Sequence, residues 1–311
     1  MSVVLISGGT GLIGRALTKH LTGKGYGVII LSRKQNQTSE DPMLSFATWD
    51  INEQKIDANA IAKADYIIHL SGAGVMEKRW SKKYKKEIVE SRTKSSELLI
   101  KSLKENENHV KAIISASAIG WYGKDAKPLV HNYGFIETDP ADKNFLGETC
   151  RLWEASIEPV ASLNKRLVKL RTGIVLSNTG GAFAEFKKSL RFGIAAILGN
   201  GKQMISWIHI DDLCRMYVYA LENENTSGSY NAVAPEHVSN KKLILKLANR
   251  LRGIFFIPVH VPQFILKLFL GERSIEILKS ATVSCEKIKD KGFTFLYPTI
   301  DAALKELTGK D

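Results

Sequence analysis

A chain of 311 residues with 44% hydrophobic and 24% charged residues has the makeup of an ordinary globular protein, with room for a dinucleotide-binding domain and a smaller part beside it. A net charge of +12 suits anionic ligands, and three scattered cysteines (Cys150, Cys214, Cys285) exclude a disulfide framework and zinc-type spacing and fit a reducing cytoplasm. The first strand begins at once, so no leader is expected, and no run reaches the ~20 mostly apolar residues of a membrane span.

The apolar run Val3-Val4-Leu5-Ile6 predicts a strand over 2–7. Behind it stands Gly8-Gly9-Thr10-Gly11-Leu12-Ile13-Gly14, and then a helical pattern over 12–24 with Ile13, Leu17 and Leu21 on one face. A second strand over 27–32 completes a βαβ unit. Such a turn lets backbone N–H groups approach a pyrophosphate at the positive end of the helix. After the second strand an NAD site usually carries an acid for the ribose hydroxyl. Here the residues are Ser32-Arg33-Lys34. A guanidinium grips the extra phosphate of NADP bidentately, so NADP(H) is the expected cofactor.

Further strands are predicted over 45–49, 65–70, 111–116 and 166–171, and helices over 57–63, 81–104 and 145–162. This alternation implies an α/β, doubly wound parallel Rossmann sheet with helices on both faces and ligands beyond the carboxyl ends of its strands. That edge should gather the glycine turn, Arg33, Asp50, Ser71-Gly72-Ala73, Ser115 to Ser117 and Arg171. The lysine-rich stretch 78–87 reads as a solvated helix face, with Tyr84, Ile88, Ser95 and Leu99 inward, rather than as a nucleic-acid patch. Residues 124–144, with Pro128 and Pro140, form a polar loop of a length often functional or mobile. Asp211-Asp212 are expected to cap a helix, and from about 238 the pattern is mostly helical. The apolar stretch 254–270, broken by Pro258, His260, Pro262 and Lys267, reads as buried core or pocket lining. The expected division is a nucleotide domain of residues 1–173 with 204–235 and a smaller, mainly helical C-terminal substrate-covering part of 174–203 with 236–311.

These marks resemble the extended short-chain dehydrogenase/reductase superfamily: the glycine turn, Asp50-Ile51, His69-Leu-Ser-Gly72, Ser115-Ala-Ser-Ala-Ile-Gly-Trp-Tyr-Gly123, Arg171-Thr-Gly-Ile-Val-Leu176 and Trp207-Ile-His-Ile-Asp-Asp-Leu213. More narrowly, Lys78-Arg-Trp80, Ser91-Arg92, Trp153-Glu154, Gly199-x-Gly201-x-Gln203, Leu270-Gly-Glu272 and Gly292-Phe-x-Phe295 are similar to its atypical branch, the epimerase family with a C-terminal domain of unknown function. The resemblance implies that Gly8, Gly11 and Gly14, with Thr10, Leu12 and Ile13 between them, hold the pyrophosphate. It implies Ser32 and Arg33 at the adenosine phosphate, Asp50 and Ile51 about the adenine, and Ser71, Gly72 and Ala73 along the nicotinamide-side ribose. For Asp50 a turn-capping role is the alternative.

The superfamily carries out its chemistry with a tyrosine and a lysine four residues later. With Glu154 aligned to the acid that often closes that motif, the two positions hold Leu146 and Cys150; a frame shifted by one gives Phe145 and Thr149. Neither supplies the pair. Ser117, Tyr122 and His209 are the candidate catalytic substitutes, Tyr122 on condition that a nearby cation lowers its pKa from ~10. Arg79 and Arg171 are candidate substrate clamps, and no metal site is expected. The reading is an NADP(H)-binding oxidoreductase or epimerase-like protein acting on a small polar metabolite, the alternative being a non-catalytic NADP(H) sensor. Neither nucleic acid nor membrane is an expected partner, and a monomer is favoured because the lysine-rich start of helix 81–104 would repel its copy.

Overall fold

The computed structural model describes residues 1–126 and 128–309. The first half runs β1 (Val3–Ser7), α1 (Leu12–Gly23), β2 (Gly27–Ser32), β3 (Leu44–Asp50), β4 (Lys55–Ile56), α2 (Ala58–Lys63), β5 (Tyr66–His69), α3 (Lys82–Glu105), β6 (Ala112–Ala118), α4 (Phe145–Ile157) and β7 (Arg166–Thr172). The second runs β8 (Ile174–Leu176), α5 (Gly181–Leu190), β9 (Ile194–Leu198), β10 (Met204–Ile205), β11 (Trp207–His209), α6 (Ile210–Glu222), β12 (Gly228–Ala232), β13 (Val238–Ser239), α7 (Asn240–Arg252), β14 (Ile257–Val261), α8 (Gln263–Leu270), α9 (Ser274–Leu278), α10 (Glu286–Asp290) and α11 (Ile300–Thr308).

The central sheet has the order β12-β7-β6-β5-β1-β2-β3-β4. Every pairing in it is parallel except that of the short β4 with β3. Strands buried on both faces read as continuous apolar runs, and alternate residues feed two cores. Val4, Ile6, Val28, Ile30 and Ile114 pack with α1 and α6. Leu5, Ile29, Leu31 and Ile113 pack with α2 and α3. A third core, outside the sheet, joins Phe183, Ile197, Trp207, Leu243, Leu247 and Leu304. The chain leaves β1 toward β2 on one side, and β5 lies on the other. The crevice between the β1 and β5 ends is therefore the topological switch point, where ligands of such sheets bind.

The expected strands and helices of the first half all form, and Lys82, Lys83 and Lys86 at the start of α3 face solvent while Tyr84, Ile88, Ser95 and Leu99 are buried; Lys85 is half-buried against Trp80 and Phe145 and pairs with Glu272. Beyond 238 the pattern is mainly helical as expected, with α7 to α11 and the short strands β13 and β14. Three expectations need correction. The α4 helix stops at Ile157, and a 3-10 turn over 158–163 follows, because Pro159 lacks an N–H and clashes with the preceding turn. The cap of α6 is His209, whose ring nitrogen accepts the Asp211 N–H, and the two aspartates lie in the first turn. Finally, 254–270 is not core. Only Leu266 of α8 is buried, and Ile254, Phe255, Phe264, Leu268 and Phe269 are exposed.

The loop between β6 and α4 is fastened to the C-terminal part. The Asp125 carboxylate accepts hydrogen bonds from Ser280 Oγ (2.8 Å), Thr282 N (2.7 Å) and Thr282 Oγ1 (2.9 Å). Phe135 bridges Val283 in parallel fashion. Gly134, at φ +86°, has no room for a Cβ, which would stand 2.2 Å from the Thr282 carbonyl oxygen.

Candidate functional site

The glycine turn is tight by construction. Gly8 sits at φ +74°, and a Cβ there would lie 2.9 Å from the Leu70 carbonyl carbon, so the turns after β1 and β5 abut. A Cβ on Gly14 would lie 2.5 Å from Gly8 O, and one on Gly9 would lie 2.8 Å from the Ile30 side chain. Gly11 closes the turn by donating to Gly8 O (3.1 Å) and stands as the N-cap of α1 with no side-chain cap. The first amides of that helix therefore point outward with the positive end of its dipole behind them. Thr10 and Gly11 are exposed, Leu12 and Ile13 half-buried. The Leu12 side chain reaches toward Gly180 and Gly181 at the start of α5, which covers this edge.

At the end of β2, Ser32 is buried and its Oγ accepts the Lys34 N–H (3.0 Å). Arg33 is exposed, with no ion pair among the described residues. At the end of β3, Asp50 Oδ1 accepts the N–H groups of Asn52 (2.8 Å) and Glu53 (3.1 Å). One oxygen of Asp50 is thus a turn cap, and Ile51 packs half-buried against the second core.

Ser71 is buried, and Gly72 and Ala73 follow it along the crevice. Arg92, buried on α3 with its guanidinium 4.8 Å from the centre of the Trp153 ring, donates to Ala73 O (3.0 Å) and Ile88 O (2.8 Å). A Cβ on Gly72 would lie 2.9 Å from Arg92 Cζ, so this segment is moulded to the arginine. Beneath the glycine turn, His69 Nδ1 lies 2.6 Å from Ser7 Oγ and its Nε2 lies 3.2 Å from Ser96 Oγ. Complete burial drops its pKa to about 3, so the ring is neutral.

Past β6 the polar groups close on one another. Glu154 on α4 receives Arg171 bidentately (Nε–Oε1 2.7 Å, Nη2–Oε2 3.0 Å), Ser117 Oγ (2.7 Å) and Ser229 Oγ (3.2 Å). The Arg171 guanidinium lies 3.6 Å from the centre of the Trp121 ring and donates to Tyr122 Oη (3.1 Å) and Glu137 O (3.0 Å). Tyr122 Oη donates in turn to Asn231 Oδ1 (2.7 Å). Tyr122 has no exposed surface, and its burial pushes the hydroxyl pKa up despite the arginine beside it. That is the opposite of what a proton donor at neutral pH needs. Three expected site residues, Ser117, Tyr122 and Arg171, thus come together, but as one buried knot rather than around an open space.

The positions of the missing pair lie beside it. A Cβ on Gly120 would contact Leu146 Cβ at 3.4 Å and Cys150 Sγ at 3.5 Å. Alternation along β6 turns Ser117 toward Glu154, while the backbone of Ala118 bonds to the Cys150 thiol. Burial holds that thiol protonated, with a pKa of about 12. Ala118, Gly120, Leu146 and Cys150 thus pack together where β6 meets α4.

His209 lies elsewhere. Its Nδ1 accepts the Asp211 N–H, so the ring proton is on Nε2 and faces Glu306 Oε2 on α11 (2.8 Å), with Tyr297 against the ring at 4.0 Å. His209, Asp211 and Glu306 bring ligand-type atoms within 4.8 Å of one another, a proximity that spacing did not reveal, but both ring nitrogens are engaged by protein groups. Arg79, exposed after β5, donates to Leu268 O (3.3 Å) and ties that loop to α8. Sequence reasoning missed Glu154, Arg92, His69 and Ala118.

Residues 4–144 match the NAD dependent epimerase/dehydratase family, and residues 261–307 match a domain of unknown function. An epimerase family protein of Staphylococcus saprophyticus is 34% identical over 99% of both chains. The human epimerase family protein SDR39U1 (isoform 2), solved with NADPH, superposes with a TM-score of 0.85 at 28% identity over 99% of both chains. A nucleoside-diphosphate sugar epimerase from Corynebacterium glutamicum superposes with a TM-score of 0.76 at 31% identity, covering all of this chain and 59% of that one. With its Rossmann sheet, its glycine turn and relatives of this likeness along its whole length, the chain belongs to the epimerase family of extended short-chain dehydrogenases/reductases.

Proposed function

We propose that this chain binds NADP(H) and acts as an oxidoreductase or epimerase-like protein on a small polar metabolite, without a tyrosine–lysine pair. The observation that carries the cofactor half is the uncapped start of α1 beneath a turn whose glycines admit no side chain. The human relative solved with NADPH supports the same choice. In this reading Gly8, Thr10, Gly11, Leu12, Ile13 and Gly14 hold the pyrophosphate, and Ser32 with Arg33 receives the adenosine phosphate. Asp50 offers its second oxygen to the adenine beside Ile51. Ser71, Gly72 and Ala73 line the nicotinamide-side ribose. When bound, the nicotinamide supplies or accepts a hydride. Residues 174–203 with 236–311 are taken in this reading as the substrate-covering part beside 1–173 with 204–235, although the third core also draws on Ile205, Trp207 and Ala234, and Val283, Ile288 and Phe293 pack in the first core.

Ser117, Tyr122 and Arg171 serve in this reading as positioning residues that set the shape of the reacting wall, and His209 joins α6 to α11. Arg79 remains the candidate clamp for a polar substrate, because its guanidinium stands at the surface of the loop after β5. A second reading, a cofactor-responsive protein without turnover, is favoured by the apolar surface of Ala118, Leu146 and Cys150. Calorimetric titration of the folded chain with NADPH and NADH tests the first half: tight NADPH binding supports it, and no affinity for either nucleotide overturns it. Consumption of NADPH with any member of a carbonyl panel supports the enzyme. Tight binding with no consumption supports the second reading.

A further inference from the structure

The turns that follow α5 and α7 meet at one end of the parallel β9–β14 pair. Ile257 N–H donates to Gly193 O (2.8 Å), Arg252 Nε donates to Leu190 O (2.8 Å), and Arg252 Nη2 donates to Arg191 O. These bonds hold two apolar tips side by side: Phe192, 84% exposed, and Ile254-Phe255, 86% and 80% exposed. The exposed register partners Ile257 and Ile194 continue the surface. Beside the tips, between α5 and α7, lies a cavity of about 290 Å³ lined by Lys187, Leu190, Arg191, Leu251 and Arg252.

The charge of the two segments that build this corner is one-sided. Residues 186–210 contain four cations and no acid, and residues 237–271 contain six cations and no acid. Of these, Lys188, Lys242 and Lys246 pair with Glu185, Glu236 and Asp301 from outside the two segments. Arg191 and Arg252 have no acidic partner among the described residues, and Lys187 donates to the neutral Asn178 while its ammonium stands 4.7 Å from the centre of the Phe183 ring. Ring and aliphatic side chains this exposed are costly in water, and unpaired cations beside them attract anions. A second copy docked through the same corner would bring its own cations against these, a costly juxtaposition. A neutral apolar partner would leave the cations unanswered. A bilayer surface bearing anionic headgroups satisfies both features, phosphates above and acyl chains below.

We propose that this corner docks on the surface of an anionic phospholipid bilayer. A headgroup phosphate sits among Lys187, Arg191 and Arg252, and Phe192, Ile254 and Phe255 enter the acyl boundary. This is docking and not insertion: among the described residues no helix is long and apolar enough to cross a membrane. It departs from the expectation that no membrane takes part, and it stands independently of the cofactor reading.

The test is co-sedimentation of the full chain with vesicles of equimolar phosphatidylglycerol and phosphatidylcholine against pure phosphatidylcholine. Binding to the anionic vesicles is expected to exceed binding to the neutral ones about a hundredfold, on the order of what three surface cations supply, and to fall in high salt. Phe255→Asp should cut it about tenfold with melting temperature and NADPH affinity unchanged. Ile254→Asp replaces it should that variant melt early. No binding to anionic vesicles, equal binding to neutral ones, or unaltered binding by both variants overturns the proposal. So does a dimer in solution that either variant separates.

Discussion

The two ends of the crevice differ in what they leave open. At the glycine turn, the first helical amides have no side-chain cap, and among the described residues Arg33 has no ion pair. At the β6–α4 end, Ser117, Tyr122, Arg171, Glu154 and Asn231 all point at one another. One end is chemically unfinished without a ligand, and the other is complete without one. Binding and chemistry are therefore separable properties in this fold, and retention of the first says nothing about the second.

Mutations can break that contrast. The largest effect is expected from Arg171→Ala, which takes the bidentate partner from the buried Glu154 and leaves it only Lys169 at 3.8 Å and two serine hydroxyls. Loss of one partner of a buried ion pair costs about 3–5 kcal/mol, so the urea midpoint should fall accordingly. The affinity for NADPH of the protein that remains folded should hold. Should Arg171→Ala instead abolish cofactor binding in folded protein, the two ends are coupled and the contrast fails. Arg33→Ala is the converse, costing about 1.5–3 kcal/mol in NADPH affinity, the range for a charged hydrogen bond, with NADH affinity and stability unmoved. Equal losses for both nucleotides would remove the case for NADP.

Acid should act through the floor of the open end. His69 is neutral when folded because burial lowers its pKa from 6.5 to about 3. The unfolded chain then binds the extra proton, so stability is fully present above pH 6.5 and falls as pH drops toward 3. Its share of the slope is up to about 1.4 kcal/mol per pH unit. A His69→Gln variant should lose that share in urea titrations between pH 6.5 and 4.5, and an unchanged slope would refute the assignment. The smallest effect concerns the closed end. Burial raises the thiols of Cys150, Cys214 and Cys285 each to about 12. A thiol-specific reagent should find none of them until the protein unfolds, and rapid labelling of Cys150 in the folded state would mean that the wall at α4 opens.

The sequence carried the open end well and the closed end poorly, for a physical reason. The glycine turn, the apolar strands and Arg33 are local features, set by neighbours a few residues away. The fate of Tyr122 depends on Asn231, 109 residues on, and that of Arg171 on Glu154, 17 residues back on α4, so no local pattern announces them. Asp50 shows how a local alternative can hold part of a residue, since the turn at Asn52 and Glu53 takes one of its oxygens. The stretch 254–270 misled because apolarity says that a surface avoids water, not what covers it.

The first core has an implication for how the polypeptide is made. It contains Tyr230 and Ala232 from the outermost strand and Val283, Ile288 and Phe293 from close to the carboxyl end. A nascent chain therefore leaves the ribosome with that hydrophobic layer unsealed until most of its length has been synthesised. During that interval the flank of β7 awaiting β12 is an unpaired template for aggregation. Synthesis stalled before residue 228 should yield a chaperone client rather than an autonomous nucleotide-binding fragment.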